Sequence, residues 1–222
     1  MLLRVLSWFI GGLIGAGLLA ALLVGARQPA ETRAAPASLP VGMATPLSTH
    51  ALTDTPAPTP LPAPLPLPLV APRLVVSKSR RQLELYSDGH VVRTYRVALG
   101  LNPTDDKERQ GDRRTPEGDF YVCMKNDRSQ FYLSLGLSYP NEEAAERGLR
   151  AGLITQAQHD AIVRAIQHKQ RPPWNTPLGG EVMLHGGGTT TDWTWGCVAL
   201  ANADIKELFD AIPNGTPVHI EH

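Results

Sequence analysis

A run of alternating prolines divides this chain into two unlike parts. From Pro56 to Pro68 every second residue is proline. Proline lacks a backbone N–H and has a fixed φ, so the run cannot join a helix or the interior of a sheet. It favours an extended, semi-rigid spacer. The run lies within residues 28–72, which hold 12 of the 20 prolines. We interpret 28–72 as a Pro-rich linker and expect the folded domain at 73–222.

An apolar segment precedes the linker. Residues Val5 to Ala26 form 22 consecutive uncharged residues, and a membrane-spanning helix needs about 20. We interpret 1–27 as an N-terminal membrane anchor or signal peptide. The length favours an uncleaved transmembrane helix, and Val24-Gly25-Ala26 would suit cleavage of a signal peptide. Beside an anchor, the linker is expected to be a stalk rather than a ligand for a Pro-binding domain.

Charge and cysteine content exclude two classes of protein. Lys+Arg and Asp+Glu both number 21, so the formal net charge is zero. Nucleic-acid-binding proteins carry a basic face, so we expect no nucleic acid partner. The two cysteines, Cys123 and Cys197, are too few for a disulfide framework. Cys123 lies in an alternating strand, where core packing is the expected role.

The domain reads as mainly β (α+β). Apolar alternation on both sides of Asp88-Gly89 predicts a β-meander with a tight turn. Helices are predicted at about 141–150 and 155–169, and a last helix is expected to end before Pro213. We expect a helical insertion at about 127–177 and a C-terminal helix.

The segment around His185 and Cys197 is the densest in reactive side chains. His185 ends an apolar strand, three glycines follow it, and Gly196-Cys197 comes twelve residues later. A cysteine nucleophile needs a base and donors for an oxyanion. Histidine is suited to the first task, and Gly196 would let backbone N–H groups approach a carbonyl. The pair is a candidate for nucleophilic catalysis.

Two other interpretations of these residues compete. Cysteine is commonly a buried small residue without chemistry. A zinc site needs three or four ligands at short spacings, and here it would have to recruit His185, Cys197, Asp192 and His219. No CxxC or HExxH pattern occurs, so we expect no metal and no cofactor. Asp192 could instead orient His185 or cap a turn.

The ordered motifs of the domain resemble the L,D-transpeptidase (YkuD) catalytic domain. That family has His-Gly, a loop, and then Ser/Thr-x-Gly-Cys before a hydrophobic residue. The matching segments here are His185-Gly186 and Thr194-Trp195-Gly196-Cys197-Val198. The family's Thr-Pro-x-Gly matches Thr115-Pro116-Glu117-Gly118. The resemblance covers about 73–125 and 178–222, and implies a YkuD-like β-sandwich or β-meander.

The resemblance implies a role for each matched residue. Cys197 would be the nucleophile and His185 the general base, oriented by the backbone carbonyl of Gly186, with the Gly196 amide in the oxyanion hole. Residues that we expect to contact substrate are Ser138, Tyr139, Thr194 and Trp195. The implied substrates are peptidoglycan stem peptides, and a wall-linked protein is a conceivable acceptor.

Two departures from the family pattern bear on the reaction. Trp195 stands where His or Arg is common, and Ala199 stands where Arg or Asn is common. An L,D-carboxypeptidase or amidase that hydrolyses the same class of bond is therefore an alternative, and a non-catalytic wall-binding module is a second one. The expected location is the cell envelope. The catalytic domain would be extracytoplasmic, held at the inner membrane by residues 1–27 or secreted after cleavage.

Overall fold

The structure is a computed structural model that describes residues 63–222, and within them the chain is mainly β with three helices. The predicted fold class is confirmed to that extent. The predicted membrane segment 1–27 lies outside the described residues. Between residues 63 and 222, no helix has the length and apolar character needed to cross a bilayer. The elements in chain order are β1 (Arg73–Ser77), β2 (Gln82–Ser87), β3 (His90–Arg96), β4 (Gly118–Ser129), β5 (Tyr132–Leu137), α1 (Glu142–Arg150), α2 (Gln156–Gln167), β6 (Met183–His185), β7 (Val198–Ala199), α3 (Asn202–Ala211) and β8 (Pro217–Glu221).

Local sequence signals explain where several elements begin. Asp88 and Gly89 have φ values of 51° and 75°, the left-handed pair that a two-residue hairpin loop requires. The Asn141 side chain accepts a hydrogen bond from Ala144 N and starts α1. Thr155 starts α2 with a capping box that includes Gln158.

The helical insertion is shorter than the sequence indicates. Residues 127–137, predicted to belong to it, lie in the β4–β5 hairpin. Helical structure between β5 and β6 is confined to α1 and α2. The hairpin turns at Ser129–Tyr132, where Tyr132 has a φ of 77°. No Gly or Pro marks this turn, so sequence signals do not reveal it.

The strands are ordered β3-β2-β1-β8-β4-β5-β6-β7. Pairs β1–β8 and β6–β7 are parallel, and the other pairs are antiparallel. Beyond β3, Ala98 bridges to Ala199 in β7, with N···O distances of 2.9 and 2.8 Å. This bridge joins the segment after one edge strand to the opposite edge strand, so the sheet closes on itself beside Cys197.

Two groups of apolar side chains fill the interior. The larger lies within the sheet and beneath α3, and the smaller joins α1, α2 and Leu178. Leu65 and Leu69 pack against the larger group, although the sequence places them in the linker. The C-terminal end of the linker therefore contacts the domain instead of hanging free of it.

Candidate active site

Strand pairing brings the segments that carry His185 and Cys197 next to each other. Leu184 pairs with Val198, and His185 pairs with Ala199. Leu184 and Val198 are fully buried in the core, and Cys197 directly precedes β7. Cys197 therefore lies beside β6, the strand that ends in His185.

The Cys197 thiol rests against backbone. Its Sγ lies 3.5 Å from the carbonyl oxygen of Glu181, and among the described residues it makes no hydrogen bond to His185. Burial raises the pKa of the thiol to about 11, despite the opposing effects of the Met183 backbone and the Lys107 charge. At neutral pH the side chain is therefore a protonated thiol.

The His185 ring is held on three sides. Its Nδ1 lies 2.6 Å from the Gly186 carbonyl oxygen, which can only accept, so Nδ1 carries the proton. Phe131 stacks on the ring at a centroid distance of 4.6 Å, and the edge of Trp193 contacts it at 5.5 Å. Burial lowers the pKa of His185. The neutral imidazole thus presents Nε2 without a proton, which is the form that a base needs.

Two threonines fix the turn that carries Cys197. The Thr194 hydroxyl donates to the Cys197 carbonyl oxygen at 2.7 Å and accepts from Gly196 N at 3.1 Å. The hydroxyl of Thr115, from the Thr-Pro-x-Gly motif, also lies 3.4 Å from that carbonyl oxygen. Thr194 is 2% exposed, so this structure gives it a part within the turn and little surface for substrate.

The Gly196 amide was expected in an oxyanion hole, and here it is already engaged by Thr194. Gly196 has a φ of 125°, and a Cβ at this position would lie 2.7 Å from the Arg114 carbonyl oxygen. The residue type is explained by this close backbone approach and by a φ that side chains disfavour.

A buried ion pair lies next to the turn that carries Cys197. Lys107 Nζ donates to Asp112 Oδ1 at 2.7 Å and to the Arg109 carbonyl oxygen at 3.0 Å. The two side chains are 4% and 8% exposed. A Cβ at Gly196 would lie 3.8 Å from Lys107 Nζ, so the ammonium sits close under the cysteine turn.

The other residues predicted to contact substrate fall into two groups, buried and exposed. Ser138 and Tyr139 are each 1% exposed. The Ser138 hydroxyl accepts from Tyr121 N at 2.9 Å, and Tyr139 donates to the Leu178 carbonyl oxygen at 3.2 Å. Placed in this way, neither offers a surface to substrate. Trp195 differs, because 71% of it is exposed.

Asp192 does not orient His185. Its carboxylate pairs with Arg81 at 2.8 Å and accepts from Leu99 N at 2.8 Å. It therefore holds the chain after β3 against the cysteine segment. Within residues 63–222, no cluster of three or more His, Cys, Asp and Glu side chains is arranged to hold a metal ion.

Sequence patterns do not reveal how three residues, Phe131, Lys107 and Glu181, contact the site, although segment 131–141 is predicted to line the substrate groove. The first lies 54 positions from the histidine it covers, and only strand pairing joins them. Glu181 has a φ of 55°, and its one local signal is the Gly179-Gly180 pair before it. Lys107 lies in a charged loop that resembles a solvated one.

Comparison with known proteins identifies a family. The sequence model of the family described as "YkuD: L,D-transpeptidase catalytic domain" matches residues 71–220. No match was found among curated proteins.

Several solved structures are similar to this chain. An L,D-transpeptidase from Xylanimonas cellulosilytica is 20% identical, with 72% of this chain and 64% of that chain covered and a TM-score of 0.43. Bd1075 from Bdellovibrio bacteriovorus is 20% identical over 69% of this chain and 48% of that chain, with a TM-score of 0.46. The helical cell shape determining protein Pgp2 from Campylobacter jejuni is 20% identical over 68% and 47%, with a TM-score of 0.44. The chain thus spans between about half and two thirds of the length of these proteins.

Proposed function

We propose that this chain, which belongs to the L,D-transpeptidase catalytic domain (YkuD) family, acts on peptidoglycan stem peptides through a thioester at Cys197. In the proposed reaction the acyl group passes from Cys197 to an amine. The observation that carries the proposal is the fixed tautomer of His185. Its Nδ1 proton is bound by Gly186, and His185 ends β6, the strand that pairs with β7 directly after Cys197.

The proposed chemistry begins from two neutral groups. His185 Nε2 takes the thiol proton as Sγ attacks the carbonyl carbon at the L-centre of a diamino acid, so that an S–C bond forms. The C–N bond to the terminal D-residue breaks, and the imidazolium returns its proton to the leaving amine. An acceptor amine then attacks the thioester carbon and gives its proton to His185, which passes it to the departing Cys197 sulfur as the S–C bond breaks. Before the first step the thiol must leave its 3.5 Å contact with Glu181 and turn towards the ring. Such contacts are often long before substrate binds.

The oxyanion donor that we propose is the amide of Cys197. The neighbouring Gly196 amide is bound by Thr194 and would have to exchange that partner. Trp195 is the proposed substrate-contacting residue, since it is exposed and the Arg113 guanidinium lies 5.0 Å from its ring centroid. A flat aromatic surface with one cation suits a peptide or sugar close to the thioester.

One observation favours hydrolysis as the second candidate function. Ala199 is fully buried and pairs with Ala98, so this position supplies no polar group for an acceptor amine. Water would then resolve the thioester, and the chain would act as an L,D-carboxypeptidase or amidase.

Mass spectrometry of products tests both functions. Full-length protein would be incubated with disaccharide tetrapeptides, with and without an added amine acceptor. Crosslinked dimers or amine adducts indicate transfer, and tripeptides indicate hydrolysis. Cys197→Ala should abolish both and leave no acyl adduct on the intact protein, whereas Cys123→Ala should retain activity. Unchanged substrate with the wild-type protein would contradict both functions and leave the wall-binding module.

We also propose that residues 1–27 hold the chain at a membrane, with the domain in the cell envelope. Fractionation of cells that produce the protein either with or without residues 1–27 checks the proposal. Full-length protein in the soluble cytoplasmic fraction would contradict it.

A further inference from the structure

Two charged side chains act on the Cys197 thiol, and they are placed very differently. Lys107 lowers the thiol pKa and Glu181 raises it, both acting beside the larger effect of burial. Lys107 is neutralised by Asp112 and 4% exposed, so it cannot meet a ligand. Glu181 is exposed, and it forms no ion pair with any described residue. Of these two charges, only the negative one is accessible.

The backbone of Glu181 is fixed tightly at this place. Its carbonyl oxygen contacts Cys197 Sγ at 3.5 Å. A Cβ at Gly179 would lie 2.4 Å from the Gln110 side chain, and one at Gly180 would lie 2.4 Å from Trp174. Close packing on both residues therefore holds the segment that leads into Glu181.

The conformation of Glu181 is also uncommon. A φ of 55° places a non-glycine residue in the left-handed region, where strain persists only when the surroundings impose it. A glycine would fit this backbone without strain, and the chain already has two glycines immediately before it. The glutamate side chain is thus carried, at a conformational cost, by a residue whose backbone carbonyl oxygen contacts the thiol.

We propose that Glu181 is a specificity-determining residue that binds an ammonium group on the substrate. This inference rests on the proposed function and assigns Glu181 as the residue that recognises the side-chain amine of the diamino acid. The amine of a diamino acid lies at the end of a flexible methylene chain. It can therefore reach the Glu181 carboxylate while the carbonyl of the L-centre lies at Cys197 Sγ. A substrate side chain that ended in a carboxylate alone would be repelled by Glu181.

Replacing Glu181 by glutamine distinguishes ammonium binding from a purely structural role. It should lower kcat/KM for the amine substrate while raising the rate at which Cys197 is alkylated. Glu181→Gln should lower kcat/KM about 10-fold for a stem peptide with a free side-chain amine, the loss expected for one charge-assisted hydrogen bond. The same change removes a negative charge beside the thiol. Alkylation of Cys197 by iodoacetamide at fixed pH should therefore become faster. A variant that is merely damaged would be slower in turnover on every substrate.

The matched substrate is the same peptide with its side-chain amine acetylated. Wild type should process it about 10-fold less well than the free amine, and Glu181→Gln should process the two about equally. Glu146→Gln removes the same charge from an exposed α1 residue paired only with Arg150, and should leave the preference unchanged. Glu181→Lys should favour a succinylated peptide.

Two results would overturn the inference and differ from each other. If wild type processes the free and acetylated peptides equally well, Glu181 does not read the amine, although the proposed function stands. If wild type processes neither, the proposed function fails and the inference fails with it.

Discussion

His185 Nδ1 donates its hydrogen bond to the carbonyl oxygen of the very next residue, Gly186, at 2.6 Å. The ring is thereby oriented by backbone, and no carboxylate takes part, since Asp192 is paired with Arg81. A carboxylate partner would favour the imidazolium. A backbone carbonyl fixes the tautomer with a smaller effect on charge, and burial leaves the pKa of His185 lowered.

The pH dependence of activity should follow from this arrangement. The histidine is neutral above its lowered pKa, so kcat/KM should fall only as the pH drops through that pKa, below the ordinary value of about 6.5. Because the pKa of the Cys197 thiol is raised to about 11, a broad plateau should cover neutral pH. A kcat/KM profile from pH 4 to 9 measures this. His185→Gln should lower the plateau by about 10²–10⁴-fold, and an acid limb that survives in this variant would point to another base.

Phe131 is expected to set the pH at which activity falls on the acid side of the profile. It stacks on His185 at 4.6 Å and keeps water from one side of the ring. Phe131→Ala should raise the histidine pKa towards its ordinary value, so activity should fall at a higher pH than in wild type. The lost ring pair should also cost about 0.5–1.5 kcal/mol of stability. NMR titration of His185 checks the shift, with Val91→Ala at an exposed position of β3 as the control. An unchanged pKa would show that the stack does not shield the ring.

Gly196→Ala tests the close approach beneath the nucleophile. The added Cβ would lie 2.7 Å from the Arg114 carbonyl oxygen at a φ of 125°, so the turn must shift and carry Cys197 with it. We expect a loss of about 1–3 kcal/mol in unfolding free energy and a large loss of kcat. Gly152→Ala also has a positive φ, 67°, but its Cβ would meet nothing within 4 Å. If both variants lose activity equally, the clash is not the cause.

The Lys107–Asp112 pair should make the free energy of unfolding depend on pH in the acidic range. Burial alone would raise the pKa of Asp112, but the Arg109 amide, Lys107 and two further amides outweigh it and lower the pKa. A lowered folded-state pKa gives stability that is present above the unfolded pKa of about 3.9 and lost as the pH falls through the folded value. Unfolding free energy should therefore drop more steeply below about pH 4 in wild type than in Asp112→Asn.

At neutral pH, Asp112→Asn should cost about 3–5 kcal/mol, because it leaves the buried Lys107 charge unpaired. Denaturant unfolding at several pH values measures both effects. Asp88→Asn, the same change in an exposed turn, provides the comparison. Parallel pH profiles for wild type and Asp112→Asn would exclude the linkage.

Signals that depend on a few adjacent residues were readable in the sequence. The Asp88-Gly89 turn and the caps at Asn141 and Thr155 are satisfied by the backbone within four positions. The bond between His185 and Gly186 was implied by the family resemblance, and it too joins adjacent residues. Each of these contacts is decided locally, before any tertiary packing.

Contacts between distant segments were not readable. Ser138 and Tyr139 follow a strand whose last four residues are buried, and the strand register that buries them is set by β4. The stack of Phe131 on His185 needs β5 and β6 to pair first. The engagement of Gly196 N by Thr194 depends on a side-chain rotamer that sequence does not specify.

The bridge between Ala98 and Ala199 has a consequence for assembly. It joins residues about a hundred positions apart, and contacts of such separation are costly in chain entropy and form late. Cys197 lies two residues from Ala199, so its surroundings are complete only when this bridge has closed the sheet. Partly folded chains would hold a cysteine without a working base. Reactivity of the proposed nucleophile should therefore report that the sheet has closed.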